Sequence, residues 1–349
     1  MSWNRYGIGF LVLVALVGCE KPVAERPMVE IHGRTMGTFY GVKVVGDFPG
    51  GQQALQTQVD SLLKHYNDEI STYDPNSSLS KFNQQQTSTP FPVSQEMADI
   101  VISALRVGQR TQGVLDVTVG PLVNLWGFGP DKRPVKTPTD EQITAARQRV
   151  GIQHLHVDVS ADHAALRKDV PNIYVDLSTI GEGFGADKVA EFLESRGVHN
   201  YLVEIAGASR SRGVNAKGDP WKLAIQKPTD ELDEVQAIIK PDGRAISTSG
   251  SYRNYYELDG KRYSHIIDPA TGKPITHRLV SATVITPTSL EADGLDTALM
   301  VMGPEKAMAF AKQQRLAVYL VIKTDKGNFI LAYNLVPHLM SVFNAKEYS

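Results

Sequence analysis

The sequence predicts an α+β fold, a single large domain with mixed or antiparallel sheets flanked by helices. Two observations support this class. Helical and strand-like segments do not alternate strictly along the chain, and the stretch from 201 to 267 contains short strand-like runs separated by Gly, Pro and Asp turns. Such runs are typical of an antiparallel meander. No internal repeat is visible, so a solenoid or propeller is not expected.

The first half of the chain is predicted from its hydrophobic periodicity. β-Branched and aromatic residues over 29–45 indicate strands, and the apolar spacing over 52–70 and 94–111 indicates two helices. The Ser, Asn and Gln residues of 71–90 favour a loop with at most one short turn of helix. The other predicted elements are a helix from Asp140, strands at 154–159 and 173–175, and a helix over 179–197 that ends in Gly.

The second half begins with the meander and returns to longer elements. Its predicted strands are 201–205, 221–225, 235–239, 245–248, 252–258 and 262–267. They are followed by a strand at 279–286, helices at 289–302 and 304–314, and two final strands.

Composition excludes several functional classes. The 349 residues carry a formal net charge of -2 and 42% hydrophobic side chains, which is ordinary for a globular enzyme. No long run of Lys or Arg is present, so no nucleic-acid partner is expected. Cys occurs once, and the fold therefore cannot depend on a disulfide within the chain.

The N-terminus has the pattern of an export sequence. Arg5 precedes an apolar run at 8–17 that is too short to span a bilayer, and 1–18 therefore reads as a signal peptide. Small residues before Cys19 look like a lipobox, which predicts a lipidated Cys19 and a tether over 19–28. The chain would then be anchored on the periplasmic side of the bacterial inner membrane, with the outer membrane as the alternative. A secreted protein with an unused Cys is the other interpretation.

The segment 176–185 ends a predicted strand and opens a helix. It holds Gly181, Gly183 and Gly185, which are poor helix formers. One explanation is a bound phosphate, since glycines let backbone N–H groups approach a ligand at a helix N-terminus. The other is a capping box in which Glu182 reaches back to Thr179. Both remain open at this point.

A second cluster of polar residues lies at 288–297. Thr288 and Glu291 have capping-box spacing, and Asp293, Asp296 and Thr297 share one face of the helix that follows. Carboxylate and hydroxyl oxygens are the ligands that Mg²⁺ accepts. Acidic residues also favour a helix N-terminus without any ion, which is the simpler explanation.

His265 stands at the end of a predicted strand, beside a turn built from Asp268 and Pro269. A histidine in such a place is well sited for proton transfer, although a lone histidine is more often structural. The other histidines have no zinc-like spacing, and no G-x-S-x-G is present to support a serine hydrolase.

Six ordered segments together resemble the FAD:protein FMN transferase family, also called the ApbE-like flavin transferases. The likeness runs from about Arg34 to the last strands. The segments are Thr35-Met36-Gly37-Thr38, Ser71-Thr72-Tyr73, Asp116-Val117-Thr118-Val119-Gly120-Pro121-Leu122-Val123, 176–185, 264–274 and 292–298. The resemblance implies the ApbE-like fold over 29–349, bound FAD as the substrate, Mg²⁺ beside its pyrophosphate, and transfer of FMN to Thr or Ser of a target protein with release of AMP.

The resemblance also assigns residues. The positions that match FAD contacts are Met36, Tyr73, Val114, Leu115, Asp116, Asp176, Glu182 and Ile267. The positions that match the metal neighbourhood are Thr179, Asp293, Asp296 and Thr297. His265 is the expected base, with Asp268 or Asp293 beside it. The implied targets are flavin-carrying subunits of membrane redox complexes such as the sodium-translocating NADH:quinone reductase.

Two departures from the family pattern matter for the site. Many relatives have Ala-Lys-Gly at 181–183, where this chain has Gly-Glu-Gly, and many have Gly-Gly-Glu at 206–208, where it has Ala-Gly-Ala. Loss of a Lys removes a positive partner for phosphate. Ser209 and Arg210 would either contact flavin or complete a strand. Two other functions fit the same residues: an FAD pyrophosphatase that releases FMN and AMP, and a flavin-binding lipoprotein without catalysis.

Overall fold

The structure, a computed structural model, describes residues 25–131, 133–229, 234–252 and 254–334. The predicted signal peptide, Cys19 and most of the predicted tether lie outside the described residues. Within the described ranges, no helix is both long and apolar enough to cross a membrane.

Eight α-helices and seventeen strands form the described part of the chain. The helices are α1 Gly51–Ile70, α2 Ser78–Gln84, α3 Gln95–Arg110, α4 Gly120–Leu125, α5 Asp140–Arg147, α6 Ser178–Ser195, α7 Ser289–Met302 and α8 Pro304–Gln314. The strands of the first half are β1 Met28–Thr35, β2 Thr38–Val45, β3 Phe91–Pro92, β4 Leu155–Ser160 and β5 His163–Lys168. Those of the middle are β6 Tyr201–Ile205, β7 Ala208–Arg212, β8 Leu223–Gln226, β9 Val235–Ile239, β10 Ala245–Gly250 and β11 Tyr255–Leu258. The last are β12 Lys261–Ser264, β13 Ile267–Asp268, β14 Lys273–Pro274, β15 Leu279–Thr286, β16 Ala317–Lys323 and β17 Phe329–Asn334.

An eight-stranded antiparallel sheet forms the centre of the fold, in the order β1-β2-β6-β7-β10-β15-β16-β17. Helices α1, α6, α7 and α8 pack on it, with α6 against β6 and β7 and α7 against β10 and β15. Alternate side chains of the sheet point to opposite faces, so Val284 joins the large core with the helices while Ile285 packs with the β8–β9 hairpin. The α+β prediction is confirmed.

Two predictions for the middle of the chain are wrong. The segment 173–175 is not a strand: it makes an isolated β-bridge, between Tyr174 and Val119, and Asn83 of α2 bonds both the N–H and the C=O of Val175, each at 2.8 Å. The meander is also not continuous. β6 and β10 enter the central sheet with β7, which the sequence pattern missed, whereas the other runs form the separate hairpins β8–β9, β11–β12 and β13–β14.

Candidate active site

The first turns of α6 and α7 lie in direct contact because α6 has glycine at the crossing. A Cβ on Gly183 would lie 2.4 Å from the Ser289 carbonyl oxygen and 2.8 Å from Asp293 Cβ. A Cβ on Gly185 would be less crowded, at 3.0 Å from Ile205 Cδ1 and 3.4 Å from Met36 Cε. These glycines therefore have a packing role, which neither of the two sequence-based explanations for the segment anticipated.

We expect Gly183→Ala to destabilise the protein by about 1–3 kcal/mol, the usual cost of overpacking a tight interface. Urea unfolding measures the change. Gly181→Ala is the matched control, since its Cβ would meet only the flexible end of Ile70 at 3.2 Å and Met36 Sδ at 3.9 Å. Equal stability of the Gly183 and Gly181 variants would contradict the packing role.

Neither predicted capping box forms. The side chain of Glu182 accepts a hydrogen bond from the Gly207 N–H, and α6 begins instead with Asp176 accepting from the Ser178 N–H at 2.9 Å. Thr288 makes no side-chain cap, and Glu291 pairs with Arg110. Gly207 and Arg110 are distant in sequence from the two glutamates that they contact, and local spacing therefore could not predict those contacts.

Two buried carboxylates of α7 form the centre of the site. Asp293 and Asp296 are 8% and 1% exposed. Asp293 Oδ2 accepts from the Gly183 N–H at 2.8 Å, and its Oδ1 accepts from Ser247 Oγ of β10 at 3.3 Å. Burial, together with the neighbouring Asp296 and Glu182 carboxylates, raises the pKa of Asp293 well above its usual range. Burial also raises the pKa of Asp296.

Two of the predicted metal-binding residues have side-chain oxygens without hydrogen-bond partners in the described part of the chain. Asp296 Oδ2 and Thr179 Oγ1 are buried and have no hydrogen-bond partner among the described residues, and Thr297 Oγ1 donates to Asp296 at 3.3 Å. Within the described ranges, no group of three or more His, Cys, Asp or Glu side chains is arranged to hold a metal ion. A cation here would therefore need two carboxylates, hydroxyl oxygens and oxygens of a bound substrate, which is the mixed oxygen shell that Mg²⁺ accepts.

Glu182, the buried glutamate of α6, makes the free energy of unfolding depend on pH. Burial raises the pKa of Glu182 from 4.5 to about 7. Between these values the folded protein holds a proton that the unfolded chain has released, so stability falls as pH rises through this window. We expect the urea midpoint in metal-free buffer to be lower at pH 8 than at pH 5.5. Glu182→Gln should make this fall smaller, and an unchanged fall in that variant would contradict the assignment.

The segments around Asp116 and Asp176 meet through their backbones. The Asp176 N–H donates to the Val117 carbonyl at 2.7 Å. Asp116 Oδ1 accepts from the N–H of Thr118 at 2.8 Å and from its hydroxyl, which fixes this turn. Burial raises the pKa of Asp116. The structure therefore brings the chain around Asp116 next to the chain around Asp176.

The other predicted flavin-contact residues differ in how far their side chains are buried. Met36 lies in the β1–β2 turn at φ 50°, packed close to Gly181 and Gly185. Val114 is partly buried against the core. Leu115 and Ile267 are 3% and 6% exposed and pack in hydrophobic clusters, so only their backbone atoms are candidates for ligand contacts.

Tyr73, Phe128 and His265 are connected by direct contacts. The Tyr73 hydroxyl donates to the Phe128 carbonyl at 3.0 Å, and the Phe128 ring meets the His265 ring edge-on, with centroids 6.4 Å apart. Tyr73 is 66% exposed, and partial burial and the charge of Asp176 raise its pKa. These contacts therefore connect His265 with Tyr73, which lies close enough to Asp176, just before α6, to feel its charge.

The hydrogen bond of His265 suits it to accept a proton. Its Nδ1 lies 2.9 Å from the carbonyl oxygen of Asn254, which can only accept, so Nδ1 carries the hydrogen and Nε2 keeps a free lone pair. Burial lowers the pKa of His265, which keeps the ring neutral at physiological pH.

Asp268 has a local role in the structure. Its Oδ1 accepts from the Ala270 N–H at 2.8 Å and its Oδ2 from the Thr271 hydroxyl at 3.0 Å. Both oxygens hold the turn after β13, and the described contacts include no bond from Asp268 to His265. The structure therefore does not bring the two predicted catalytic residues into contact.

Sequence reasoning missed Ser247, Gly207 and Phe128, which contact the predicted site residues from elsewhere in the fold. Ser247 lies at the centre of β10, and nothing in its local sequence marks it. Gly207 has a detectable feature, since a Cβ there would lie 2.6 Å from the Thr248 carbonyl oxygen, but this requirement is visible only once β7 and β10 are paired.

Comparison with known proteins agrees with this architecture. The model of the ApbE family matches residues 36–320. A protein of Klebsiella pneumoniae (strain 342) named FAD:protein FMN transferase is 52% identical over 318 residues, covering 90% of this chain and 91% of that protein. The solved structure of the flavin transferase ApbE from Vibrio cholerae superposes with a TM-score of 0.80 at 48% identity, covering 88% of this chain and 97% of that one. The apo flavinyl transferase ApbE of Pseudomonas stutzeri also gives a TM-score of 0.80, at 38% identity over 89% of this chain and 95% of that one. The chain belongs to the ApbE family.

Proposed function

We propose that this protein is an FAD:protein FMN transferase that uses Mg²⁺ to move FMN from FAD onto a Thr or Ser hydroxyl of a target flavoprotein, releasing AMP. Relatives of that name are about half identical to it over most of their length. The observation that carries the chemistry is the pair of buried carboxylates, Asp293 and Asp296, with unpartnered oxygens on Asp296 and Thr179. Burying a negative charge without a neighbouring positive charge costs free energy, and a bound cation would offset that cost.

The residues of the site have distinct tasks in this reaction. Thr179, Asp293, Asp296 and Thr297 would hold the cation, which would stabilise negative charge on the phosphate oxygens of FAD. Met36, Tyr73 and the segments around Asp116 and Asp176 would position FAD.

Proton transfer is assigned to His265. The hydroxyl oxygen of the target forms a bond to the FMN phosphorus, the bond from that phosphorus to the AMP oxygen breaks, and the hydroxyl proton passes to His265 Nε2. The Asn254 carbonyl supports this step, because it accepts from Nδ1 and stabilises the imidazolium that forms.

Two other functions use the same residues. Water in place of the target hydroxyl would make the protein an FAD pyrophosphatase that releases FMN and AMP. A flavin-binding lipoprotein would need the FAD-contacting segments but would leave the buried carboxylates without a purpose. The unpartnered oxygens favour a metal-dependent reaction over simple binding.

The deciding experiment is mass spectrometry of an acceptor domain incubated with the protein, FAD and Mg²⁺, beside a sample with EDTA. A gain of the mass of FMN on Thr or Ser that EDTA prevents would support the transferase. Release of FMN and AMP without modification of the acceptor would support the pyrophosphatase. If neither a modified acceptor nor free FMN and AMP is formed, the result would support a protein that only binds flavin.

We also propose that the protein is anchored by lipid on Cys19 at the periplasmic side of the inner membrane. Its targets would be flavin-accepting subunits of membrane redox complexes such as the sodium-translocating NADH:quinone reductase. The sequence before Cys19 supports the anchor, and the family resemblance supports the targets. Cys19→Ser should move the protein from the membrane fraction to the soluble fraction, and unchanged membrane association would contradict lipidation.

A further inference from the structure

We infer that Asp187 and Arg210 are positioning residues that fix the register of α7 against α6 and so tune the affinity of the carboxylate site for Mg²⁺. The inference rests on the proposed function, because it takes Asp293 and Asp296 as the residues that hold the cation. Neither Asp187 nor Arg210 touches the cluster itself in any described hydrogen bond.

Asp187 caps the N-terminus of α7, although it belongs to the neighbouring helix α6. It lies on α6 and is 6% exposed. Its Oδ1 accepts from the Ser289 N–H and its Oδ2 from the Leu290 N–H, each at 2.9 Å. These are among the first N–H groups of α7, which have no partner within their own helix. The local residue Thr288 makes no such bond, and the carboxylate of α6 takes over its task.

Arg210 holds this carboxylate from the sheet. It lies on β7, and its Nη1 donates to Asp187 Oδ1 at 2.8 Å. Ser209, the other unusual residue of this stretch, donates to the Ile246 carbonyl at 3.2 Å and joins β7 to β10. The described bonds thus give Arg210 a task in the interior: it fixes the orientation of Asp187 and supplies the positive charge that a buried carboxylate requires.

Two hydrogen-bonded links between the helices define their register. One joins the Gly183 N–H to Asp293, and the other joins Asp187 to the Ser289 N–H. Gly183 and Asp187 are one turn apart on α6, and Ser289 and Asp293 are one turn apart on α7 in the opposite direction. Two links about 6 Å apart along the axes fix both the sliding and the rotation of one helix against the other.

This register decides where the oxygens of the cluster lie. Thr179 and Glu182 are on α6, whereas Asp293, Asp296 and Thr297 are on α7. A cation bound between the two helices needs oxygens from both at fixed distances. Loss of the Asp187 link would leave only the Gly183 bond, whose acceptor is itself one of the proposed metal ligands. Outer contacts that orient ligands commonly change metal affinity about 10- to 100-fold when they are removed.

The test compares Asp187→Asn with the wild-type protein saturated with FAD, in the absence of acceptor. Isothermal titration calorimetry with Mg²⁺ should show binding weakened about 10-fold or more, with the affinity for FAD changed much less. Hydrogen exchange at the amides of Ser289, Leu290 and Gly183 should become faster. Arg210→Met should weaken Mg²⁺ binding in the same direction, and Arg210→Lys, which keeps the charge, should restore part of it.

Ile239→Ala is the control for general destabilisation. Ile239 is buried in the cluster with the β8–β9 hairpin, away from α6 and α7, so its loss should lower stability without changing Mg²⁺ affinity. An Asp187→Asn protein that is folded and binds Mg²⁺ as tightly as the wild type would overturn the positioning role. Wild-type protein that binds no Mg²⁺ would instead overturn the metal site of the proposed function.

Discussion

Asp293→Ala is expected to lower FMN transfer by about 1000-fold or more, because it removes a carboxylate that would hold the cation over the reacting phosphates. The rate of flavin attachment to an acceptor domain, followed by mass spectrometry at saturating FAD and Mg²⁺, measures the effect. The variant should remain folded without metal. In the wild-type protein Asp293 lies beside Asp296 and Glu182, and its removal relieves the repulsion among these three acids.

Asp293→Asn separates charge from hydrogen bonding. Its amide oxygen can still accept from the Gly183 N–H, so the packing of α6 on α7 is retained while the negative charge is lost. Transfer by this variant should be nearly as low as in Asp293→Ala. Asp325→Ala is the control, because Asp325 is an exposed acid that pairs with Arg278 at 3.2 Å. Full activity of Asp293→Asn would refute the metal assignment.

His265→Ala is expected to reduce the transfer rate by about 10²- to 10⁴-fold, the usual contribution of a general base. FAD affinity should change little, because the proton of the target hydroxyl is not involved in binding FAD. The pH dependence gives a sharper measurement. Wild-type activity should rise with pH as His265 loses its proton, at a pH below the usual range for histidine because burial lowers its pKa. The residual activity of the variant should lack this rise.

His32→Ala is the matched control for that experiment. His32 lies on β1, is 67% exposed in its side chain and pairs with Glu30 at 3.1 Å, so its loss should leave transfer unchanged. If His265→Ala keeps the pH profile of the wild type, another group accepts the proton of the target hydroxyl. FAD binding lost together with activity would place His265 in substrate binding instead.

Most of the long elements were predictable from periodicity. The helix predicted at 52–70 is α1, and the predicted strand 279–286 and the predicted helices 289–302 and 304–314 have the bounds found in the structure. These segments have apolar positions at a regular period over two turns or more, or over a whole buried strand, and the local pattern then agrees with tertiary packing. Short runs such as 221–225 lack that length, and pairing with neighbours decided where each begins.

The residue types of the candidate site were predictable from the sequence, but the residues that contact and orient them were not. The helical spacing of Asp293, Asp296 and Thr297 was enough to place them on one face, because i, i+3 and i+4 positions always share a face. Ser247 and Asp187 contact α7, and Gly207 contacts Glu182 of α6. All three come from other parts of the fold, and no local spacing relates them to the residues that they contact.

The sequence by itself determined the α+β class, the position of most long elements, the carboxylate face of α7 and the resemblance to flavin transferases. Only the tertiary structure decided that Gly183 of α6 serves a helix crossing, that Asp187 and not Thr288 caps α7, and that Asp268 bonds its own turn rather than His265. The physical reason is that periodicity and helix spacing are set by the local backbone, whereas hydrogen-bond partners of buried groups are set by whichever elements the fold brings within about 3 Å.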